Sequence, residues 1–209
     1  MNHVWLKQSN NATCVIVVFG GWAIGSDALS PLKGTCDVLF ISDYSDLKYT
    51  LPDLSAYTMR TLVAWSFGIA SYCHWQRGKA DVFDRKIAIN GSMTPIDREN
   101  GIPPLVMQKT IDTLSHDSFQ VFLMRAFNTK MPEQTINVSA RKEELIAVLE
   151  RGDAPPQTWD RIWLSRKDRI FPFANMERAW AQQNDAVKTI DGPHAPFDAW
   201  KNWDEVCDE

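Results

Sequence analysis

Apolar residues along the chain fall into two patterns. Four unbroken runs, "CVIVVFGG" (14–21), "DVLFISDY" (37–44), "RTLVAWS" (60–66) and "RKIAINGS" (85–92), are rich in β-branched side chains. A strand with one wet face would alternate apolar and polar residues, so continuous runs predict strands buried on both faces. The third run leads into "FGIASYCHWQRG", a helical stretch closing at Gly78, a residue suited to a helix C-terminus. Strands separated by helices predict a parallel sheet with crossover connections.

The pattern then changes. Residues 95–156 carry three helical segments, "PPLVMQKTIDTL", "SHDSFQVFLMRAF" and "SARKEELIAVLERG". Two open with serine at an expected N-cap, and one has proline in its first turn. After "GDAPPQ" the alternation resumes: "WDRIWLS" as strand, "FANMERAWAQQ" as helix, "AVKTID" as strand and "APFDAWKNWDEV" as a closing helix. The expected organisation is one α/β domain, a mostly parallel sheet with helices on both faces. Its core comprises 1–94 and 157–209, interrupted by a helical lid insertion at 95–156. The first residues read as a loose terminus.

Composition narrows the function classes. The chain has 209 residues and a formal net charge of −4, which leaves no basic surplus to hold a nucleic-acid backbone. No apolar segment approaches the roughly 20 residues that span a bilayer, so no membrane partner is expected. The N-terminus lacks a basic segment followed by an apolar one, which predicts no signal peptide and a cytoplasmic protein. Cys14, Cys36, Cys73 and Cys207 show no metal-ligand spacing, and Cys14 and Cys73 read as buried, reduced thiols. Neither a metal nor a cofactor is expected.

The chemistry starts at Ala64-Trp65-Ser66-Phe67-Gly68, where a predicted strand gives way to a helix. A serine lifted on such a turn needs small residues two before and two after it, because larger side chains collide with neighbouring backbone. The turn also sits at the carboxyl edge of the sheet, where open α/β sheets bind ligands. A nucleophilic serine of this kind is followed along the chain by an acid and then a histidine. Of the four histidines, His3 lies near the terminus, His74 lies two turns into the helix after Ser66, and His116 lies in the insertion. His194, in "DGPHAPF", follows a predicted strand and fits the order. Asp168, in "SRKDRIFP", follows the strand before it. Asp160 precedes that strand, at the wrong edge, and Asp191 belongs to the next strand's end. Oxyanion donors are expected from the backbone N–H of Phe67 and, after Gly20-Gly21, of Trp22. The "FGGWAIG" loop has neither of the glycine spacings that cradle phosphate.

Taken together, "FGGW", "SDYSDL", "LVAWSFG", "INGS…PID…GIPP", "SRKDRIFP" and "GPHAPF" resemble the α/β-hydrolase family and, within it, BioG-type pimeloyl-[acyl-carrier protein] methyl ester esterases. The resemblance runs from Phe19 to His194. It implies a Ser66–Asp168–His194 triad, with Trp22 and Phe67 at the oxyanion and acyl-binding site. It also implies a late step in making the pimeloyl precursor of biotin, on an ester carried by acyl-carrier protein. A lid rich in Phe, Leu and Met, Phe122 among them, suits a methylene chain at about 0.8 kcal/mol per buried CH₂. Composition alone leaves open another medium-chain ester or thioester, or an inactive acyl-binding protein of the same fold. Carrier proteins of this type are acidic. Residues 95–157 hold seven Lys/Arg against nine Asp/Glu, so a docking surface there requires basic residues such as Arg125, Lys130, Arg141 and Lys142 to be segregated toward the pocket mouth.

Overall fold

The computed structural model describes residues 1–9 and 11–208. Seven strands form one sheet: β1 (Asn2–Lys7), β2 (Cys14–Phe19), β3 (Asp37–Ser42), β4 (Met59–Trp65), β5 (Arg85–Ile89), β6 (Arg161–Ser165) and β7 (Val187–Ile190). Their spatial order is β1-β3-β2-β4-β5-β6-β7. All neighbours are parallel except β1, which runs antiparallel to β3 at one edge. The unbroken apolar runs occupy the sheet's middle: Val15, Val17, Val18, Leu62, Val63 and Ile87 have no exposed surface. Burying a side chain of this size contributes about 1.5–3 kcal/mol.

Helix α1 (Phe67–Gln76) follows β4 and packs on β2 and β4. It is buried on all sides except at His74 and so shows no apolar stripe, as expected of a helix enclosed by the core. Helices α2 (Pro104–Asp112), α3 (His116–Phe127) and α4 (Val138–Arg151) lie between β5 and β6. Ser115 caps α3 reciprocally with Ser118. Helix α5 (Phe173–Ala179) packs on β6, and α6 (Trp203–Asp208) ends the chain.

Several expectations are corrected. The N-terminal residues form β1 rather than a loose end; its side chains are mostly exposed, Val4 and Leu6 included, so its pairing with β3 supplies the order. Asparagine at 137, not Ser139, caps α4, accepting the Ala140 N–H. The expected closing helix at 195–206 is a short 3-10 turn at Phe197–Ala199 followed by α6. β5 stops at Ile89, because Asn90 adopts a left-handed φ of 45°. Cys14 is joined to Cys36 by a disulfide, so it is not a reduced thiol. The physical reason is the register: Val15 pairs with Asp37 across parallel β2 and β3, which sets the preceding residues side by side. Cys73 is a buried free thiol, and burial pushes its pKa up to about 12.

Candidate active site

The chain order reverses at β2: β3 lies on one side of it and β4 on the other. Loops leaving the carboxyl ends of β2 and β4 therefore diverge, and a crevice opens between them. Ser66 stands at that point, with φ 59° and ψ −129°. Such left-handed geometry costs a non-glycine residue about 1–3 kcal/mol and persists only where neighbours fix it. Here the Ser66 N–H donates to Ile89 O at 2.9 Å. Gly68 lets α1 approach the end of β2, since a Cβ there would lie 2.1 Å from Phe19 O. A Cβ on Gly91 would lie 2.5 Å from Ser66 O, so both glycines hold the turn from opposite sides.

His194 Nε2 lies 3.0 Å from Ser66 Oγ, and its Nδ1 lies 2.8 Å from Asp168 Oδ2. Both partners' side chains in the His194–Asp168 pair are 1% exposed. Asp168 Oδ1 accepts the N–H groups of Ile170 at 2.7 Å and Phe171 at 2.9 Å, which leaves Oδ2 to face the imidazole. A carboxylate only accepts, so Nδ1 carries the proton and Nε2 is the acceptor for the serine hydroxyl. The imidazole lies between Trp65 and Phe171, the latter stacked at 5.8 Å and 13°. The Trp65 indole N–H donates to His194 O at 2.9 Å. The other histidines lie elsewhere: His3 in β1, His116 exposed at the start of α3, and His74 against Gly152 O at 3.2 Å. Asp160 binds the Lys86 N–H before β6, and Asp191 pairs with Lys167 on the surface.

Beyond Ser66 opens a cavity of about 560 Å³, lined by Trp22 and Phe67 with Ile102, Leu105, Val106 and Met107 near α2, Val121 and Phe122 of α3, and Leu145 of α4. Phe122 meets the Trp22 ring edge-on at 5.0 Å. Lys109, Arg125 and Arg169 also line it, and among the described residues no acidic one does. Arg141 does not. Its guanidinium is held by Glu144 at 2.6 Å and Asp43 at 3.4 Å, and its carbonyl accepts the Trp22 indole N–H at 2.9 Å. The expectation that Arg141 faces the pocket mouth is therefore corrected: it fastens α4 to the loops after β2 and β3. Glu144, 1% exposed, completes this fastening by accepting the Tyr44 N–H at 2.9 Å, while Arg151 donates to Tyr44 O. Tyr44 Oη in turn donates to Gly20 O at 2.8 Å, bracing the loop that carries Trp22. Neither Glu144 nor Tyr44 was singled out from sequence. One glutamate among the charged residues of a helix carries no mark of burial, although Tyr44 lies in the quoted "SDYSDL" segment.

Among the described residues no group of three or more His, Cys, Asp or Glu is placed to hold a metal ion, and no helix is long and apolar enough to cross a membrane.

A family model described as "Pimeloyl-ACP methyl esterase BioG" matches residues 3–206. A malonyl-[acyl-carrier protein] O-methyltransferase of Bacteroides fragilis is 30% identical over 192 residues, 86% of this chain but only 39% of that protein. The chain thus spans about two fifths of that relative. The crystal structure of BioG from Haemophilus influenzae superposes with a TM-score of 0.87 at 28% identity, each chain covered in full. A lipase-esterase related protein from Clostridium acetobutylicum shares the fold at a TM-score of 0.60 and 11% identity, over 93% of this chain and 92% of its own. A seven-stranded, mostly parallel sheet and a match over nearly the whole sequence lead to one conclusion: the chain is an α/β-hydrolase-fold protein and belongs to the BioG family of pimeloyl-ACP methyl esterases.

Proposed function

We propose that this protein is a serine carboxylesterase that hydrolyses the methyl ester of a pimeloyl chain held on acyl-carrier protein. The observation that carries the reading is the hydrogen-bonded series Ser66 Oγ, His194 Nε2, His194 Nδ1, Asp168 Oδ2, with Ser66 opening into an apolar cavity. Family membership supports the ester and the carrier.

In this mechanism Ser66 Oγ attacks the ester carbonyl while its proton passes to His194 Nε2. Asp168 holds the Nδ1–H, fixing the tautomer and stabilising the imidazolium that forms. Negative charge develops on the former carbonyl oxygen. The Phe67 N–H, at the first position of α1 and so without a partner inside the helix, is one donor to it. The Trp22 N–H, on the loop braced by Tyr44, is the other. Collapse expels methoxide, which takes the proton from His194 and leaves as methanol. Water, deprotonated by His194, then attacks the acyl-serine ester, releasing the free carboxylate and restoring Ser66. Residues 95–156 act as the lid: α2 and α3 enclose the methylene chain, with Phe122 packed on Trp22. The carrier's acidic surface meets Lys109, Arg125 and Arg169 where the chain enters.

The test is methanol release from purified protein given methyl-pimeloyl-carrier protein, beside the same ester on a free acid. Turnover of the carrier-linked ester, lowered by orders of magnitude in Ser66→Ala and His194→Ala proteins that stay folded, is expected. Full activity in either variant removes the triad assignment. Equal turnover of both esters assigns a general esterase instead.

A further inference from the structure

The three turns that bear Ser66, Asp168 and His194 leave different strands, and one side chain outside the triad joins the supports of the latter two, while its neighbours in the chain hold the first. Asn90 follows β5 directly and is 1% exposed. Its Oδ1 accepts the Ser165 N–H at 2.7 Å, at the end of β6 where the turn to Asp168 begins. Its Nδ2 donates to Ser165 Oγ at 2.7 Å, to His194 O at 2.9 Å and to Pro193 O at 3.2 Å. Its own backbone N–H donates to Trp163 O at 3.0 Å. The residues on either side of it complete the set: Ile89 O receives the Ser66 N–H, and Gly91 packs on the Ser66 backbone.

The orientation of the carboxamide admits one reading. A backbone N–H only donates and the two carbonyls only accept, so Oδ1 faces Ser165 and Nδ2 faces His194. His194 O thus receives two buried donors, the Asn90 amide and the Trp65 indole. Asn90 also accepts a left-handed φ of 45°, which asparagine tolerates better than most residues. From these contacts we infer that Asn90 is a positioning residue of the active site: its carboxamide fixes the separation of the acid turn from the histidine loop, and so the alignment of His194 between Asp168 and Ser66. The inference rests on the proposed serine mechanism.

Two substitutions remove the clamp while keeping the backbone conformation: Asn90→Gly, which has no side chain, and Asn90→Asp, which keeps the shape but turns an oxygen toward the carbonyls of Pro193 and His194. The full chain is assayed with a short-chain p-nitrophenyl ester, and labelling of Ser66 by a fluorophosphonate is timed by mass spectrometry. Thermal unfolding sets the folded fraction at the assay temperature. Misplacing a reacting group by about 1 Å costs roughly 10²-fold. The expected result is therefore a kcat lower by about that factor per folded molecule, KM within about threefold of the parent, and labelling slowed in proportion to kcat. A lower Tm with kcat and labelling per folded molecule near the parent's overturns the inference, as does a raised KM at unchanged kcat. If the Asn90 variants do not fold, Ser165→Ala decides, since it removes only the Oγ acceptor. It is expected to lower kcat about tenfold, one hydrogen bond's worth, and no change overturns the proposal. A parent protein that the fluorophosphonate does not label overturns the serine mechanism itself, a different failure from parent and variants labelling at equal rates.

Discussion

Glu144 offers a stringent test of how the insertion is joined to the sheet, because its two oxygens have separate tasks. Oε1 takes the Tyr44 N–H and Oε2 takes Arg141, in a side chain 1% exposed. Glu144→Ala leaves the Tyr44 N–H without a partner, at about 1–3 kcal/mol, and forfeits one buried methylene at about 0.8 kcal/mol. With Arg141 keeping Asp43, the total is about 2–4 kcal/mol, overlapping the range of about 3–5 kcal/mol found when one member of a buried pair is removed. Glu144→Gln keeps an acceptor for one donor and is expected to cost only about 1–2 kcal/mol.

Burial raises the Glu144 pKa above its ordinary 4.5, and Arg141, the Tyr44 N–H and Arg151 only partly offset that. The folded chain therefore binds this proton more tightly than the unfolded chain. Unfolding releases it over the window just above pH 4.5, and the group's contribution to stability falls as pH rises through that window. Asp43 acts in the opposite sense. Burial is outweighed by its bonds to Ser45 and by Arg141, so its pKa is lowered and its contribution is lost as pH falls toward the folded value. It is common to parent and variant. The gap between parent and Glu144→Gln is thus expected to narrow from pH 5 to pH 7. Urea unfolding at both pH values measures this, with Glu144→Ala showing a Tm lower by roughly 10 °C for a chain of this length. A Glu144→Ala protein within 1 kcal/mol of the parent at equal m-value, or a Gln variant as damaged as Ala, refutes the reasoning.

Two further outcomes follow from the geometry. Reversing charge with Lys109→Glu and Arg125→Glu at the cavity rim should raise KM for a carrier-linked ester, more at low salt because such steering is screened within about 10 Å at 0.1 M; kcat/KM for a small free ester should stay within about threefold, and equal losses on both substrates would show damage to the pocket instead. Cys14→Ser, or reduction of the parent, opens a cross-link with a sequence separation of 22 and should lower stability by about 3 kcal/mol, read by urea unfolding; identical curves for oxidised and reduced protein would mean the bond adds nothing.

The parallel sheet and the chain order of the candidate site were legible in the pattern of residues. Unbroken runs such as 15–19 and 61–65 have one stable destination, a strand covered on both faces, and burial follows directly from side-chain chemistry. Ser66, Asp168 and His194 each follow a strand of the parallel part of the sheet, so that strand direction brings all three to one edge. Residues whose role depends on a distant partner were decided by tertiary structure alone. β1 has almost no buried face and owes its form to the edge of β3. Cys14 finds Cys36 only through the β2–β3 register. Arg141 reads as a surface cation until Glu144 and Asp43 lie beside it, and Asn90 reads as part of a strand until the acid turn and the histidine loop close around its carboxamide. Hydrophobic burial is written into a local pattern, whereas a hydrogen bond or ion pair between residues 75 or 100 positions apart exists only once the fold has set them within 3 Å.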